Sequence, residues 1–400
     1  MTAESSPPPT SGDVWDVAIV GAGLGGATTA ALLGRTGLRV VLIDQRATYP
    51  ASFKAEKIEP DQAALFRKFG LLEGLLPMTG RVHTIATGRG RVLYRVEPVE
   101  QYGIFYQDMV NGVRAQIPEG VAWERDRVQS ITPSASVSRI TLLSGKSLNA
   151  RLVVLACGTG GQLSVRLGIG KRMISETHSL SIGFNLERVD GNPFPFDALT
   201  YYPDSDQSRV ACLSLFPMRT TMRANYFTYW IPGDAQANRF PKDPHGELLA
   251  VFPHLERFTG PFRVTGRIEM GPADLFHAEG HLQPGLVLLG DVFQGVCPTS
   301  GTGVSKVLTD VDVLCDLLPS WLKTPDMGTD KLLQFYLDPR KVRCDLGSLE
   351  GALYSKTFGI DPSIRWRIQR RLTYLWLYLT HAGTVLYSWA SPFHKEMQSR

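Results

Sequence analysis

The sequence predicts an α/β chain: a parallel-sheet domain, an antiparallel-sheet domain inserted into it, and a helical C-terminal segment. Three observations lead there. Short apolar runs, Val17 to Val20, Arg39 to Ile43, Leu152 to Leu155 and Leu286 to Leu289, suit strands buried on both faces of a parallel sheet. Between Ser179 and His277 the runs become longer and aromatic and are separated by Pro193, Pro195, Pro203, Pro217 and Pro232, as in an antiparallel sheet. Towards the C-terminus, Leu372, Leu375, Trp376 and Leu379 share one helical face, which Leu386 extends.

The first of these strands opens a complete unit. Asp16-Val-Ala-Ile-Val-Gly21-Ala-Gly23-Leu24-Gly-Gly26 is followed by a helical stretch, Ala27 to Arg35, and a second strand ending at Asp44. Gly21 permits the tight turn, Gly23 lets a pyrophosphate reach the backbone, and Gly26 lets the helix sit close to the sheet. The helix N-terminus offers free N–H groups and a positive dipole end. Asp44, with Gln45 and Arg46 beside it, can accept ribose hydroxyls. Strand, helix, second strand and terminal acid together predict a Rossmann-like domain holding an adenine dinucleotide; a plain strand–loop–helix turn is the bland alternative.

Four hundred residues exceed one simple core and predict two closely associated lobes. The 43% apolar and 20% charged composition is that of a soluble globular protein. A net charge of +4, without a basic tract interleaved with stacking aromatics, excludes a nucleic-acid partner. The five cysteines lack C-x-x-C spacing, which predicts no metal site, no disulfide framework and a cytoplasmic setting. Residues 1–12 lack an apolar signal core and read as a disordered leader.

Next come Lys54-Ala-Glu-Lys57-Ile58-Glu-Pro60 and a helix in which Leu65, Phe66 and Phe69 share a face before Gly70. From here the chain resembles the class A flavoprotein monooxygenases, the para-hydroxybenzoate hydroxylase-like group. Lys54, Ile58 and Pro60 fall on a family segment in which an arginine usually stands at the Lys54 position. The resemblance implies FAD, with Lys54 as a cation for its pyrophosphate; a solvated face is the alternative for Lys54 and Lys57. It also places Tyr106-Gln107 where the family carries an FAD-contacting arginine, so Gln107 is the substitute expected there. Arg151-Leu-Val-Val-Leu-Ala-Cys157-Gly158, with Ser164 and Arg166, matches a segment tied to FAD and nicotinamide, except that Cys157 stands at the aspartate position. Cys157 reads as a small apolar residue or, alternatively, as a redox thiol.

The second diagnostic stretch is Gly285-Leu-Val-Leu-Leu-Gly290-Asp291, then Pro298-Thr299-Ser-Gly301-Thr302-Gly303 and Asp310. All the family's landmarks match here, with Phe293-Gln294 replacing Ala-His and Ser305 replacing a frequent asparagine. The resemblance implies that Asp291 binds ribityl hydroxyls and that the helix opening at Gly301, Thr302 and Gly303 faces the flavin N1/O2 edge, where negative charge accumulates. Phe293, Gln294, Pro298 and Thr299 are then the candidates for the flavin face, and no side chain is obliged to act as acid or base.

Phe227-Thr-Tyr229-Trp230-Ile-Pro232 outlines an aromatic strand that loosely resembles motifs of flavin-dependent halogenases and geranylgeranyl reductases. Phe227, Tyr229 and Trp230 are expected to line a substrate pocket, or else to be core. The expected division is residues 13–178 plus 278–325 for FAD, 179–277 for substrate, and 326–400 as C-terminal helices. The last forty residues carry six Lys and Arg against two acids, equal to the whole chain's excess. Their helix suits either a membrane surface or packing on the body. The function this implies is an FAD-dependent monooxygenase, with NADPH or NADH, or a separate flavin or electron-donating reductase, as reductant. Its substrate is a small apolar aromatic or isoprenoid. The rivals are an isoprenoid double-bond reductase, a halogenase and a redox-silent FAD-binding protein.

Overall fold

The computed structural model describes residues 14–159 and 161–379. The leader 1–12 and the tail from Thr380, with Leu386, lie outside them. The chain divides into two units. The first holds the residues up to Thr79, Ile104–His178 and Ala273–Gly351; the second holds Gly80–Gly103, Ser179–Pro272 and the chain from Ala352.

The first unit is built on the expected parallel sheet. Its strands run in the order Ala122–Glu124, Val40–Ile43, Val14–Val20, Ser147–Leu155, Ser138–Leu142 and Val128–Thr132. The first four are parallel, and the last two form an antiparallel meander on Ser147–Leu155. That strand is long enough to hold two neighbours on one side, Ser138–Leu142 along its start and Leu286–Leu288 along its end. Val17, Val40, Val41, Val153, Val154 and Val287 are fully buried, as runs covered on both faces must be. The strands carrying both glycine motifs are thus neighbours of one strand, although about 250 residues separate them in sequence.

The second unit holds the middle of a nine-stranded sheet, in the order 179–188, Met222–Thr228, Val210–Pro217, Ala198–Tyr202, Gly80–Arg89 and Val92–Gly103. One face is a core of Ile182, Phe184, Leu213, Tyr226, Trp230, Phe240 and Phe252. The last two come from the short helical region Ala235–Val251 and the turn after it. The Tyr226 ring meets Trp230 edge-on at 5.4 Å and Phe240 at 5.3 Å.

The expected boundaries shift at two places. The hairpin Gly80–Gly103 leaves the first unit because its strand pairs in parallel with Ala198–Tyr202, Ile85 opposite Ala198. Residues 326–351 join the first unit: Met327 O accepts from Gly285 N at 2.8 Å, and the Tyr336 hydroxyl accepts from Leu288 N at 2.9 Å.

Trp230 is 1% exposed, and its indole N–H donates to Ser208 O at 2.9 Å. Trp230→Phe keeps an aromatic in the core but deletes that donor and strands a carbonyl. The expected cost is about 1–3 kcal/mol, read by chemical denaturation with flavin content unchanged.

Candidate functional site

The two glycine motifs form one cradle in the first unit. Helix Leu24–Leu33 starts at Gly23 with no acid in its first turn, so no carboxylate offsets its positive end; of its leading N–H groups, that of Leu24 meets the Tyr106 hydroxyl. Gly21 has φ +97, and a Cβ there would lie 2.7 Å from Ala156 O. A Cβ on Gly26 would lie 1.9 Å from Gly21 O, so only glycine lets the helix cross the strand this closely. A Cβ on Gly23 would meet nothing within 4 Å. That open backbone is where a pyrophosphate can approach.

Asp44 closes the second strand with its carboxylate fixed by backbone donors. Oδ2 accepts from Ala22 N and Oδ1 from Arg46 N, both at 2.8 Å. Beyond it lies a cavity of about 470 Å³ lined by Gly21, Asp44, Gln45, Arg127, Cys157 and Arg166 among others. Its position at the carboxyl ends of parallel strands suits the adenosine half of a dinucleotide. Cys157 sits on its wall, and burial pushes the thiol up to about 11, which suits a packing residue better than a redox thiol.

Lys54 stands on the other side of the glycine loop. Its ammonium is 3.9 Å from Asp291 Oδ2 and 5.4 Å above the Tyr106 ring. Lys57 pairs with Glu59 at 3.0 Å, so of the two lysines it is Lys54 that faces the cradle. Gln107 is half-buried in the first turn of helix Tyr106–Arg114. It is the neighbouring Tyr106 whose hydroxyl hydrogen-bonds the Leu24 backbone, with burial raising its pKa well above the ordinary value.

The second motif is a left-handed turn feeding a long helix. Gly290 and Gly301 have φ +76 and +68, and Gly303–Trp321 begins at Thr302 with no acid in its first turn. Buried Gln62 clamps that turn: its amide donates to Gly301 O and Ser305 Oγ at 3.0 Å, and its carbonyl accepts from Glu59 N. Ser305 in turn donates to Asp61 at 2.6 Å. Gln62→Ala leaves these partners short and loosens the turn; the expected loss is about 1–3 kcal/mol, with a lower FAD occupancy by absorbance.

Two flavin-face candidates, Phe293 and Gln294, are covered by protein. Phe293 is 4% exposed, its ring stacked on Tyr336 at 5.0 Å, edged by His277 and His281, with the Lys341 ammonium 4.1 Å away. Gln294 is 3% exposed and donates to Asp345 O. Both pack against the chain beside the second motif. Pro298 is exposed and Thr299 half-buried, its hydroxyl 2.9 Å from Cys297 Sγ.

Behind Phe293 lies an ionic cluster. Asp310 accepts from Gly290 N at 2.8 Å and from Lys341 at 2.7 Å. Lys306 is 2.7 Å from Asp345 Oδ1 and 3.5 Å from Asp310, while Lys341 also reaches Asp345 at 3.1 Å. Burial alone would raise the Asp310 carboxyl, but Lys306 and Lys341 outweigh it and hold it low. Lys306 is correspondingly held above its ordinary value: burial opposes the charge, and Asp310 and Asp345 overcome that.

The substrate candidates separate by burial. Tyr229 and Trp230 are 1% exposed within the second unit; Tyr229 shares a hydrogen bond with Ser355 Oγ at 2.7 Å. Both belong to packing there. Phe227 is half-buried and lies on the opposite sheet face, paired with Ser181 and Cys212. Sequence reasoning missed three supporting residues. Besides Tyr106 and Gln62, buried Arg114 donates from Nε to Ala22 O at 2.7 Å and from Nη1 to Arg46 O at 3.2 Å, pinning both loops of the cradle. Neither spacing nor motif marks Gln62 or Arg114, and at the Tyr106-Gln107 position the expectation fell on Gln107.

Among the described residues no group of three His, Cys, Asp or Glu is arranged to hold a metal. The donors fit FAD: open backbone at Gly23, a fixed acid at Asp44, the Lys54–Asp291 pair, and an uncapped helix at the second motif.

Comparison with known proteins agrees. Residues 14–344 match the family described as FAD binding domain. Squalene epoxidase 3 of Arabidopsis thaliana is 25% identical over 415 residues, which cover 92% of this chain and 72% of the plant protein. The structure of p-nitrophenol 4-monooxygenase PnpA from Pseudomonas putida superposes with a TM-score of 0.72 at 19% identity, covering 96% of this chain and 98% of that one. Aklavinone-11 hydroxylase, solved with FAD and aklavinone, gives a TM-score of 0.67 at 20% identity, covering 88% of this chain and 70% of that one. With the cradle and the match in agreement, the chain belongs to the FAD binding domain family and is an FAD-dependent oxidoreductase.

Proposed function

We propose that this protein is an FAD-dependent monooxygenase whose substrate is a small, largely apolar isoprenoid or aromatic compound. Bound FAD supplies the redox chemistry: with two electrons from NADPH or NADH, one atom of dioxygen enters the substrate and the other leaves as water. The chain's residues hold and polarise. Lys54 and the leading N–H groups of Leu24–Leu33 offset phosphate charge, Asp44 and Asp291 offer acceptors for hydroxyls, and the start of Gly303–Trp321 favours negative charge beside it.

The observation supporting the substrate class is the second face of the second unit's sheet. By register, Ser181, Phe227 and Cys212 form one row, Gly183, Asn225 and Ser214 the next, and Asn185, Arg223 and Phe216 a third. The one charge in these three rows, Arg223, is 3% exposed at the side chain and paired with Glu269 at 2.7 Å. Six of these nine residues are buried, and the half-buried Asn185, Cys212 and Phe227 carry no charge; such a face favours apolar partners and offers a sugar or amino acid little to bind. The named activity of the plant relative, an epoxidase of squalene, agrees with an isoprenoid.

The test is oxygen consumption by holoenzyme with NADPH, or with a flavin reductase, presented with acyclic polyenes, polycyclic aromatics, sugars and amino acids. Uptake stimulated only by the apolar compounds, with an oxygenated product, is expected. Uptake equal for all compounds and ending in hydrogen peroxide would overturn the substrate class.

A further inference from the structure

The helix over residues 364–379 has two unlike faces, both described within the second unit. One face is anchored. Arg370 is 7% exposed and donates to Phe358 O and Asp361 O, each at 2.8 Å. The Arg89 guanidinium lies 3.9 Å from the Tyr374 ring, and Tyr378 donates to Arg89 O at 3.3 Å while meeting Tyr94 edge-on. These contacts fix the helix's rotation, so the other face cannot roll inward.

That other face carries Ile364, Ile368, Leu372, Leu375, Trp376 and Leu379, between 53% and 69% exposed and spaced at three or four residues apart from the Leu375–Trp376 pair. Arg365, Arg367 and Arg371 are exposed on the same helix, and no acid lies between Ile364 and Leu379. Among the described residues no helix is long and apolar enough to cross a membrane. An apolar stripe accompanied only by cations fits the plane of an anionic lipid surface, with the stripe in the acyl boundary and the guanidinium groups among the headgroups. A second copy of this helix would bring like charges together, so charge complementarity selects the lipid.

From this geometry we infer that helix 364–379 docks the protein on an anionic membrane surface. The inference goes beyond the proposed activity and stands without it. The test is sedimentation of full-length holoprotein with vesicles of phosphatidylcholine, alone or mixed with phosphatidylglycerol. Binding to the mixed vesicles is expected to be at least roughly tenfold tighter and to weaken with added salt. Leu372→Gln with Trp376→Gln, and separately Arg365→Gln with Arg367→Gln and Arg371→Gln, each lower that binding about tenfold, with Tm and flavin content unchanged. Equal vesicle binding by parent and variants would overturn the inference. So would a concentration-dependent dimer, seen by light scattering, that the Leu372/Trp376 variant abolishes without any vesicle binding by the parent. A large drop in Tm in that variant would show instead that the stripe is covered within the chain, and would overturn it too.

Discussion

Gly23→Val yields a protein that folds as the parent does and carries no flavin. A Cβ at this position would meet no protein atom within 4 Å, so the fold leaves room for the branch point. The volume it fills is the open side of the helix N-terminus, where a pyrophosphate must come within hydrogen-bond distance of the backbone. Bonds to a charged partner are each worth about 1.5–3 kcal/mol, so losing two lowers FAD affinity by roughly two to four orders of magnitude. Gly26→Val is the contrasting case: its Cβ would lie 1.9 Å from Gly21 O, so it disrupts the strand–helix crossing itself. The pair is read by the flavin-to-protein absorbance ratio and by thermal melting. A Gly23→Val protein with full flavin would remove the glycine loop from the site.

Asp310→Ala costs about 3–5 kcal/mol, a large part of the 5–15 kcal/mol that holds a typical domain. Asp310 is 1% exposed and joins Lys306 and Lys341, both fully buried, to the Gly290 N–H. Without it, two buried ammonium groups share Asp345 alone and the Gly290 turn loses its acceptor. The pH dependence follows from the same contacts. The Asp310 carboxyl is held low in the fold by its two lysines. Its contribution is therefore present above the unfolded value of about 4 and is lost as pH falls through the folded value. Urea unfolding at neutral pH and below pH 4 checks both: the gap between parent and variant is largest at neutrality and shrinks in acid. A variant within about 1 kcal/mol of the parent would show that the cluster is not a support.

The parts of this protein that local chemistry dictates were readable in advance. The two glycine turns, the acid closing the second strand and the Gly290-Asp291 pair each combine a backbone constraint with a fixed spacing, and each lies in the expected place. What depended on distant partners was not readable. Hairpin Gly80–Gly103 follows the first nucleotide unit in sequence, yet it belongs with Ala198–Tyr202 because an exposed ladder edge pairs without regard to sequence distance. Phe293 and Gln294 stand at a family flavin position, but Gln294–Gly295 pairs with Phe276–His277 and turns both side chains into packing. Period-two alternation separates Tyr226 from Phe227, although nothing in composition distinguishes them. Arg114 and Gln62 act through backbone carbonyls, which leave no trace in a motif.

Monooxygenation is read out by a single turnover under isotopically labelled dioxygen. Holoprotein reduced in the absence of air is mixed with the gas and an acyclic polyene, and the product is analysed by mass spectrometry. One labelled oxygen atom is expected in the product and the second in water. A product that gains two hydrogens and no label would make the protein a double-bond reductase, and an unchanged polyene with all oxygen recovered as hydrogen peroxide would contradict monooxygenation of this substrate class.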